Sequence, residues 1–351
     1  MLVIRTATLD DLDPLYDLIA ASTYGLTTLK ISKDQLQERL EESEFAFRRK
    51  PKRPSGQPYV FVMEDQTLGK LVGTCAIYSK VGGFEPFYSY RIETTLQSSE
   101  ALNVTKEVAV LHLVKEHDGP TEIGSLYLDP NYRGSGHGRL LSLCRFLFIA
   151  AFPDRFDKEV IAEMRGVVDA EGKSPFWEAI GRHFFDVEFP KAETMTTVSK
   201  NFIADLMPKH PLYVTLLPPA AQATIGRVHP QTEPALALLK QEGFEHRNLI
   251  DIFDGGPVVH CARDRIRSVR DSGVGRVEKI EEAVESEPFL VANQRDAGFR
   301  CCLGTLQLLT TDPPSSRDVE AGASVAIDRV TALSLGIKIG DSVRYVTPKA
   351  T

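Results

Sequence analysis

Between residues 123 and 148 the chain reads IGSLYLDPNYRGSGHGRLLSLCRFLF: a β-rich run, three glycines within five positions, then an apolar run at helical spacing. A strand that turns through glycines into a helix fixes a βα unit at the centre of the fold. Gly134, Gly136 and Gly138 let the backbone turn tightly with no Cβ in the way. The N–H groups from Arg133 through Ser135 and His137 can therefore converge on one anion. The start of the helix adds unpaired donors and a partial positive charge, so phosphate is the natural guest. Two familiar phosphate loops do not fit. No Lys-Ser/Thr follows the last glycine, and the glycines run G-x-G-x-G rather than G-x-G-x-x-G. The spacing is R-x-x-G-x-G; three glycines alone leave a plain strand-to-helix turn open as the alternative.

Around this unit the pattern is mixed α/β. LVIRT is a strand, and Leu12, Leu15, Leu18 and Ile19 recur at helical spacing behind Asp10 as cap, with Pro14 harmless in the first turn. A second helix spans about residues 33 to 48 and stops at the basic RRKPKRPSG. Two β-rich runs flanking Asp65 to Gly69 form a hairpin. YSYRIETTL and EVAVLHLV are further strands. Then follow a strand in EVIAEMRGVV, a helix opening at SPFWEAIG, a short strand FFDVEF, and an amphipathic helix in TEPALALLKQEGFEHRN stopped by Gly243. PFLVAN, FRCCLGTLQLL, ASVAID and DSVRYVTP are short strands that predict a small C-terminal β-barrel or sandwich. The expected division is a first domain over residues 1–267, a charged linker over 268–290 and a β-rich domain over 291–351.

At 351 residues the chain exceeds the size at which one core stops growing, which favours two packed units. No window approaches a membrane span, and the N-terminus has neither a basic n-region nor a small-residue cleavage site. Cys75, Cys144, Cys261, Cys301 and Cys302 are odd in number and lack metal-type spacing. A cytoplasmic protein with reduced thiols, no metal and no membrane partner is expected. The net charge of −7 gives no footprint for nucleic acid and suits a cationic small substrate.

The R-x-x-G-x-G spacing, entered from LYLDPNYR and followed by GRLLSLCRFLF, resembles the acyl-CoA-binding motif of the GNAT superfamily of N-acyltransferases. The resemblance implies a GNAT-like fold. It places the CoA pyrophosphate on Arg133, Gly134, Ser135, Gly136, His137 and Gly138, and the pantetheine arm on the backbone of Leu126, Tyr127 and Leu128. Longer blocks, up to about residue 267, resemble the arginine N-succinyltransferase family, which includes arginine/ornithine succinyltransferase subunits. They are RTATLDDLDPL, GLTTL, AEMRGVVDAEGKSPFWEAIGRHFF, FIADLMPKHPLY, IGRVHPQTEPALALLKQEGF and IDIFDGGP. In the tail the fit is looser, at FLVAN and GDSVRYV. What this implies is succinyl transfer from succinyl-CoA to the α-amino group of L-arginine; a homodimer, or a heteromer with a related subunit, is expected.

Such a reaction sets chemical requirements. An amine at neutral pH is mostly ammonium and needs a base, and the departing thiolate is best protonated by an acid; histidine suits either task. His229 in GRVHPQT and His210 in PKHP are the candidates, and on the residues alone each reads as plainly as a cap or a surface histidine. The family resemblance assigns the proton-donor role to His229. Pro230 biases it toward an extended conformation at a helix entrance, with Thr232 as expected cap. A free succinyl carboxylate suits a bidentate arginine, Arg91 or Arg165, each of which can equally serve in a structural ion pair. The acceptor guanidinium needs acids, with Glu163, Asp251 and Asp254 as candidates, although Asp254 also begins an Asp-Gly-Gly turn. Trp177, Phe84, Phe87, Tyr88 and Tyr90 can wall an acceptor pocket or fill the core. Cys144, on an apolar helix without a base beside it, reads as a packed thiol. Two other readings keep the motif: an acyltransferase for ornithine or another amine, or from acetyl-CoA, and a non-catalytic CoA-binding partner subunit.

Overall fold

A computed structural model describes residues 1–21, 31–196, 200–309 and 323–349, so the GLTTL block and the side chain of Phe84 lie outside the described residues. The strands in chain order are β1 (Leu2–Thr6), β2 (Pro58–Asp65), β3 (Lys70–Tyr78), β4 (Gly82–Ser99), β5 (Val104–Asp118), β6 (Thr121–Leu128), β7 (Glu159–Glu163), β8 (Leu212–Tyr213), β9 (Glu245–Ile250), β10 (Pro257–Ala262), β11 (Gly273–Glu281), β12 (Pro288–Asn293), β13 (Arg300–Leu308), β14 (Ala323–Asp328) and β15 (Ser342–Val346). Three of the helices are α1 (Leu12–Ala20), α2 (Lys33–Arg48) and α3 (His137–Ala151). Two units, each discontinuous in sequence, contain them. Unit 1 is Met1–Ser79, Ile123–Lys158 and Ala262–Thr351; unit 2 is Lys80–Glu122 and Glu159–Cys261.

In unit 1, β1 pairs antiparallel with β2 on one side, Ile4 opposite Met63, and with β13 on the other, Ile4 opposite Cys301. The hairpin β2–β3 follows, and β6 lies beside β3. α2 opens on a capping box: Ser32 accepts from the Gln35 N–H while the Gln35 side chain accepts from the Ser32 N–H. Leu36, Leu40 and Phe47 then bury at helical spacing. α3 is buried nearly all round, ten of its fifteen residues being inaccessible, which is why it reads as apolar rather than amphipathic.

The C-terminal strands close on themselves in the order β12-β15-β11-β14-β13, with β13 pairing back to β12. Of the two expected forms this is the barrel, but β11 falls inside the stretch 268–290 expected to be a linker. Buried Gly275 and Val277 alternate there with exposed Arg276 and Glu278. The period-two signal is weak because one inward position is a glycine, where a Cβ would stand 2.6 Å from Val325. The barrel strands belong to the same unit as Met1–Ser79.

In unit 2, β4 and β5 form a long antiparallel hairpin. β9 pairs with β4 (Tyr90 opposite Ile250), and β10 pairs with β9. Its core gathers Tyr90, Phe176, Trp177, Phe185, Phe189 and Ile250. FFDVEF is not a strand. The helix Gly181–Phe185 ends at Asp186 in the left-handed region (φ 52°), and a second helix, Phe189–Met195, begins after it. Both Phe185 and Phe189 pack against Trp177, so aromatic burial overrides the β propensity of the segment. Among the described residues no helix is long and apolar enough to cross a membrane.

Candidate active site

The glycine loop is built within unit 1. β6 does not extend regularly into it: Ser125 takes φ 52°, an uncommon conformation for a residue with a Cβ, and interrupts the pleat. Asp129 then caps the turn Pro130–Tyr132 by accepting from the Asn131 N–H at 2.9 Å, which holds its carboxyl below the usual range. The Tyr132 hydroxyl donates to Asp65 at 3.0 Å. The Arg133 Nε donates to the Leu128 carbonyl at 3.1 Å, and its guanidinium lies 5.9 Å from the Tyr127 ring centre. His137 Nδ1 donates to the Tyr132 carbonyl at 3.0 Å, which closes the loop on itself.

Gly134 (φ 94°) and Gly136 (φ 82°) are both left-handed, and a Cβ on either would meet nothing within 4 Å. They are glycines for the sake of backbone shape, and the space beside them is open. Gly136 is also the N-cap of α3, where no side chain supplies a cap. The first N–H groups of a fifteen-residue helix thus open into a left-handed glycine turn, which is the arrangement an anion binds.

Unit 2 gathers the acidic candidates. Asp254 accepts from the Gly166 N–H with Oδ2 and from the Gly256 N–H with Oδ1, both at 2.8 Å. Its carboxylate therefore clamps the Asp-Gly-Gly turn to the Met-Arg-Gly segment. Asp251 Oδ1 accepts from the N–H groups of Phe253 and Asp254 at 2.7 and 2.8 Å. Burial, and then the charge of Asp254, push the Asp251 carboxyl up to about 8. Burial, followed by Glu122 and Asp251, likewise pushes Glu163 well above the usual carboxylate range.

Arg165 is engaged by acids on two sides. Glu193 holds its Nη1 and, at 3.3 Å, its Nη2, while Asp254 Oδ2 stands 3.6 Å from Nε. The Phe189 ring lies 4.8 Å beneath the guanidinium. The Arg165 carbonyl accepts the His229 N–H at 2.8 Å, and Gly166 forms a bridge with Val228. His229 is extended (φ −60°, ψ 141°), as Pro230 predicts, but the expected cap, Thr232, makes no side-chain cap. His229 itself caps the turn Pro230–Thr232, its Nδ1 accepting from the Gln231 N–H at 3.2 Å. An imidazole ring reaches back to that N–H as readily as a shorter Thr would, and Thr232 is already helical.

The structure thus brings Glu163, Arg165, Asp251, Asp254 and the backbone of His229 together in unit 2, and Leu126 to Gly138 together in unit 1. Arg91 stands apart, exposed on β4 opposite His112 and Leu249. His210 is exposed. Tyr88, Tyr90 and Trp177 are core residues; Phe87 packs with Val81, Ile161 and Val258. Cys144 is buried with its Sγ 3.8 Å from that of Cys75, and burial pushes its thiol up. Sequence reasoning passed over Glu193. It lies in the short helix Phe189–Met195 that begins on the last residue of the strand-like FFDVEF, and the one available clue was that a part-buried Arg165 needs an acid.

A family model described as "Arginine N-succinyltransferase beta subunit" matches residues 2–268. The curated arginine N-succinyltransferase of Enterobacter sp. (strain 638) is 43% identical over 349 residues, covering 99% of this chain and 97% of that protein. Its counterpart in Escherichia coli (strain K12 / DH10B) is 42% identical over the same length, with the same coverage. The solved structure of arginine/ornithine succinyltransferase subunit AI from Pseudomonas aeruginosa superposes with a TM-score of 0.86 at 36% identity, covering 100% of this chain and 99% of that one. By these matches the chain belongs to the arginine N-succinyltransferase family.

Proposed function

We propose that the chain transfers the succinyl group of succinyl-CoA to the α-amino group of L-arginine, in the cytoplasm, as a homodimer or with a related subunit. The observation that carries this reading is the end-to-end match to curated relatives, 99% of this chain against 97% of theirs. The loop from Arg133 to Gly138 holds the pyrophosphate on its N–H groups, and the backbone of Leu126, Tyr127 and Leu128 holds the pantetheine arm. The amine attacks the thioester carbonyl directly: a C–N bond forms, the C–S bond breaks, the amine loses a proton and the thiolate gains one. His229 is the acid and base for these transfers. Its Nδ1 accepts from the Gln231 N–H, so that contact opens for the neutral ring to carry its proton on Nδ1, take the amine's proton at Nε2 and, as imidazolium, give it to the thiolate. Glu163 and Asp251 suit the acceptor guanidinium, because a cation beside them favours their ionised forms. Asp254 is already committed to two backbone N–H groups and acts on the site by shaping it.

Ornithine is the second acceptor to consider, since the Pseudomonas aeruginosa relative is described as an arginine/ornithine succinyltransferase subunit. The test follows CoA thiol release with succinyl-CoA or acetyl-CoA against L-arginine, L-ornithine and L-lysine, with His229→Ala alongside. Release is expected with succinyl-CoA plus arginine. The variant should lose about 10²- to 10⁴-fold in kcat while binding CoA normally. Thiol release that never exceeds the no-acceptor blank, in protein that still binds CoA, would remove the single-chain enzyme from consideration.

A further inference from the structure

Arg145 is a buried cation surrounded by neutral groups. It is 2% exposed, and its Nε donates to the Ser142 carbonyl at 3.0 Å, its Nη2 to Ser142 Oγ at 2.8 Å and its Nη1 to the Gly124 carbonyl at 3.4 Å. The titratable groups acting on it are the thiols of Cys75 and Cys144, and among the described residues no carboxylate pairs with it. Arg155, equally buried, has Asp296 at 3.1 Å, and the part-buried Arg165 has Glu193 and Asp254. A desolvated guanidinium without a counter-charge is disfavoured, so its retention points to an anion that arrives from outside the chain.

The location of Arg145 says which anion. Within unit 1, α3 runs back along β6: a Cβ on Gly138 would lie 3.9 Å from Leu128, Leu141 packs where Gly73 meets Tyr127 and Leu128, and Arg145 reaches Gly124. The distance from Gly138 to Arg145 is about 10 Å along the helix. Leu128 to Gly124 is about 13 Å along the strand. Arg145 therefore lies beyond Leu126 from the glycine loop, next to the left-handed Ser125. A donor seated with its pyrophosphate on the loop and its arm along β6 carries its acyl end in this direction.

We propose that Arg145 determines acyl-donor specificity, its guanidinium taking the terminal carboxylate of the succinyl group. The inference rests on the succinyl-CoA reading above. Of the two arginines that the sequence offered for this task, Arg165 is already engaged by two carboxylates and Arg91 is exposed on β4. The Gly124 contact, the longest of the three Arg145 makes, is the one a carboxylate oxygen replaces.

The test compares Arg145→Met and Arg145→Lys with the wild type in the intact protein, measuring kcat/KM and calorimetric binding for succinyl-CoA and for acetyl-CoA. Arg145→Met is expected to weaken succinyl-CoA by about 10- to 100-fold and leave acetyl-CoA unchanged. Arg145→Lys, which keeps the charge and loses the fork, should fall between. An equal loss for both donors would make Arg145 a structural residue, and an unchanged donor preference would make it irrelevant to the donor; either overturns the proposal. If Arg145→Met does not fold, Arg145→Lys decides alone by the same criterion. A wild type without preference for succinyl-CoA would fail at the earlier step, the assignment of the donor itself.

Discussion

Gly136→Ala separates the two jobs assigned to the glycine loop. Gly136 sits at φ 82°, and an added Cβ meets nothing within 4 Å, so no clash contributes to the outcome. What remains is the left-handed backbone, which costs a residue with a Cβ about 1–2 kcal/mol. The smaller conformational entropy of alanine in the unfolded chain returns about half of one. The net loss is about 1 kcal/mol, and for a chain of 351 residues it lowers Tm by about 1–2 °C. Donor binding should respond far more strongly. The methyl group projects into the open space beside the N-terminus of α3, where a pyrophosphate must approach within hydrogen-bonding distance of the backbone. CoA affinity should fall by at least about tenfold, the worth of one charge-assisted hydrogen bond. Scanning calorimetry and CoA titration on the same preparation read the two effects. A normal CoA affinity alongside the small drop in Tm would refute the loop as the phosphate cradle.

Two further perturbations probe unit 2. Gly256→Ala would place a Cβ 2.1 Å from the Met164 carbonyl and 2.7 Å from the Gly166 nitrogen, both backbone atoms that cannot swing aside. It should destabilise by about 3 kcal/mol or more, and an unchanged urea midpoint would contradict the packing described. Asp251, with its folded carboxyl pushed up to about 8, binds a proton that the unfolded chain releases near the ordinary value of 3.8. Its contribution to stability is therefore present in full below about pH 4, falls as pH rises toward 8 and levels off above. Asp251→Asn removes that slope, so the stability of the variant relative to wild type should rise between pH 5 and pH 8.5. Equal differences in urea midpoint at the two pH values would show that the carboxyl is already ionised at pH 5.

The parts of the fold written in local pattern were legible without coordinates. α2 announces itself through Ser32, Gln35 and the spacing of Leu36 and Leu40, and the β2–β3 hairpin through its turn residues. Gly134 and Gly136 carried the loop because only a left-handed turn makes such a run of glycines useful. The misread segments share a cause. In FFDVEF Phe185 and Phe189 are fixed by Trp177, a partner eight residues away from Phe185, and in β11 the inward side chain is missing at Gly275 because Val325 occupies its space. The candidate site was half legible for the same reason. His229 and the acids stand in distinctive blocks, whereas Glu193 and Arg145 acquire meaning from what lies near them in space: an arginine for one, the lack of a carboxylate for the other.

The pairing of β1 with β13 bears on how the chain is made. When a ribosome has released residue 261, every residue of unit 2 has emerged, but unit 1 still lacks its last segment, Ala262–Thr351. Until Cys301 and Cys302 emerge, Ile4 and Val3 have β2 on one side and an open strand edge on the other. β1, made well before β13, is thus among the last strands to find both neighbours, and the nascent protein carries an exposed edge until β13 follows. A chain truncated after residue 268, where the family match ends, would make that temporary edge permanent.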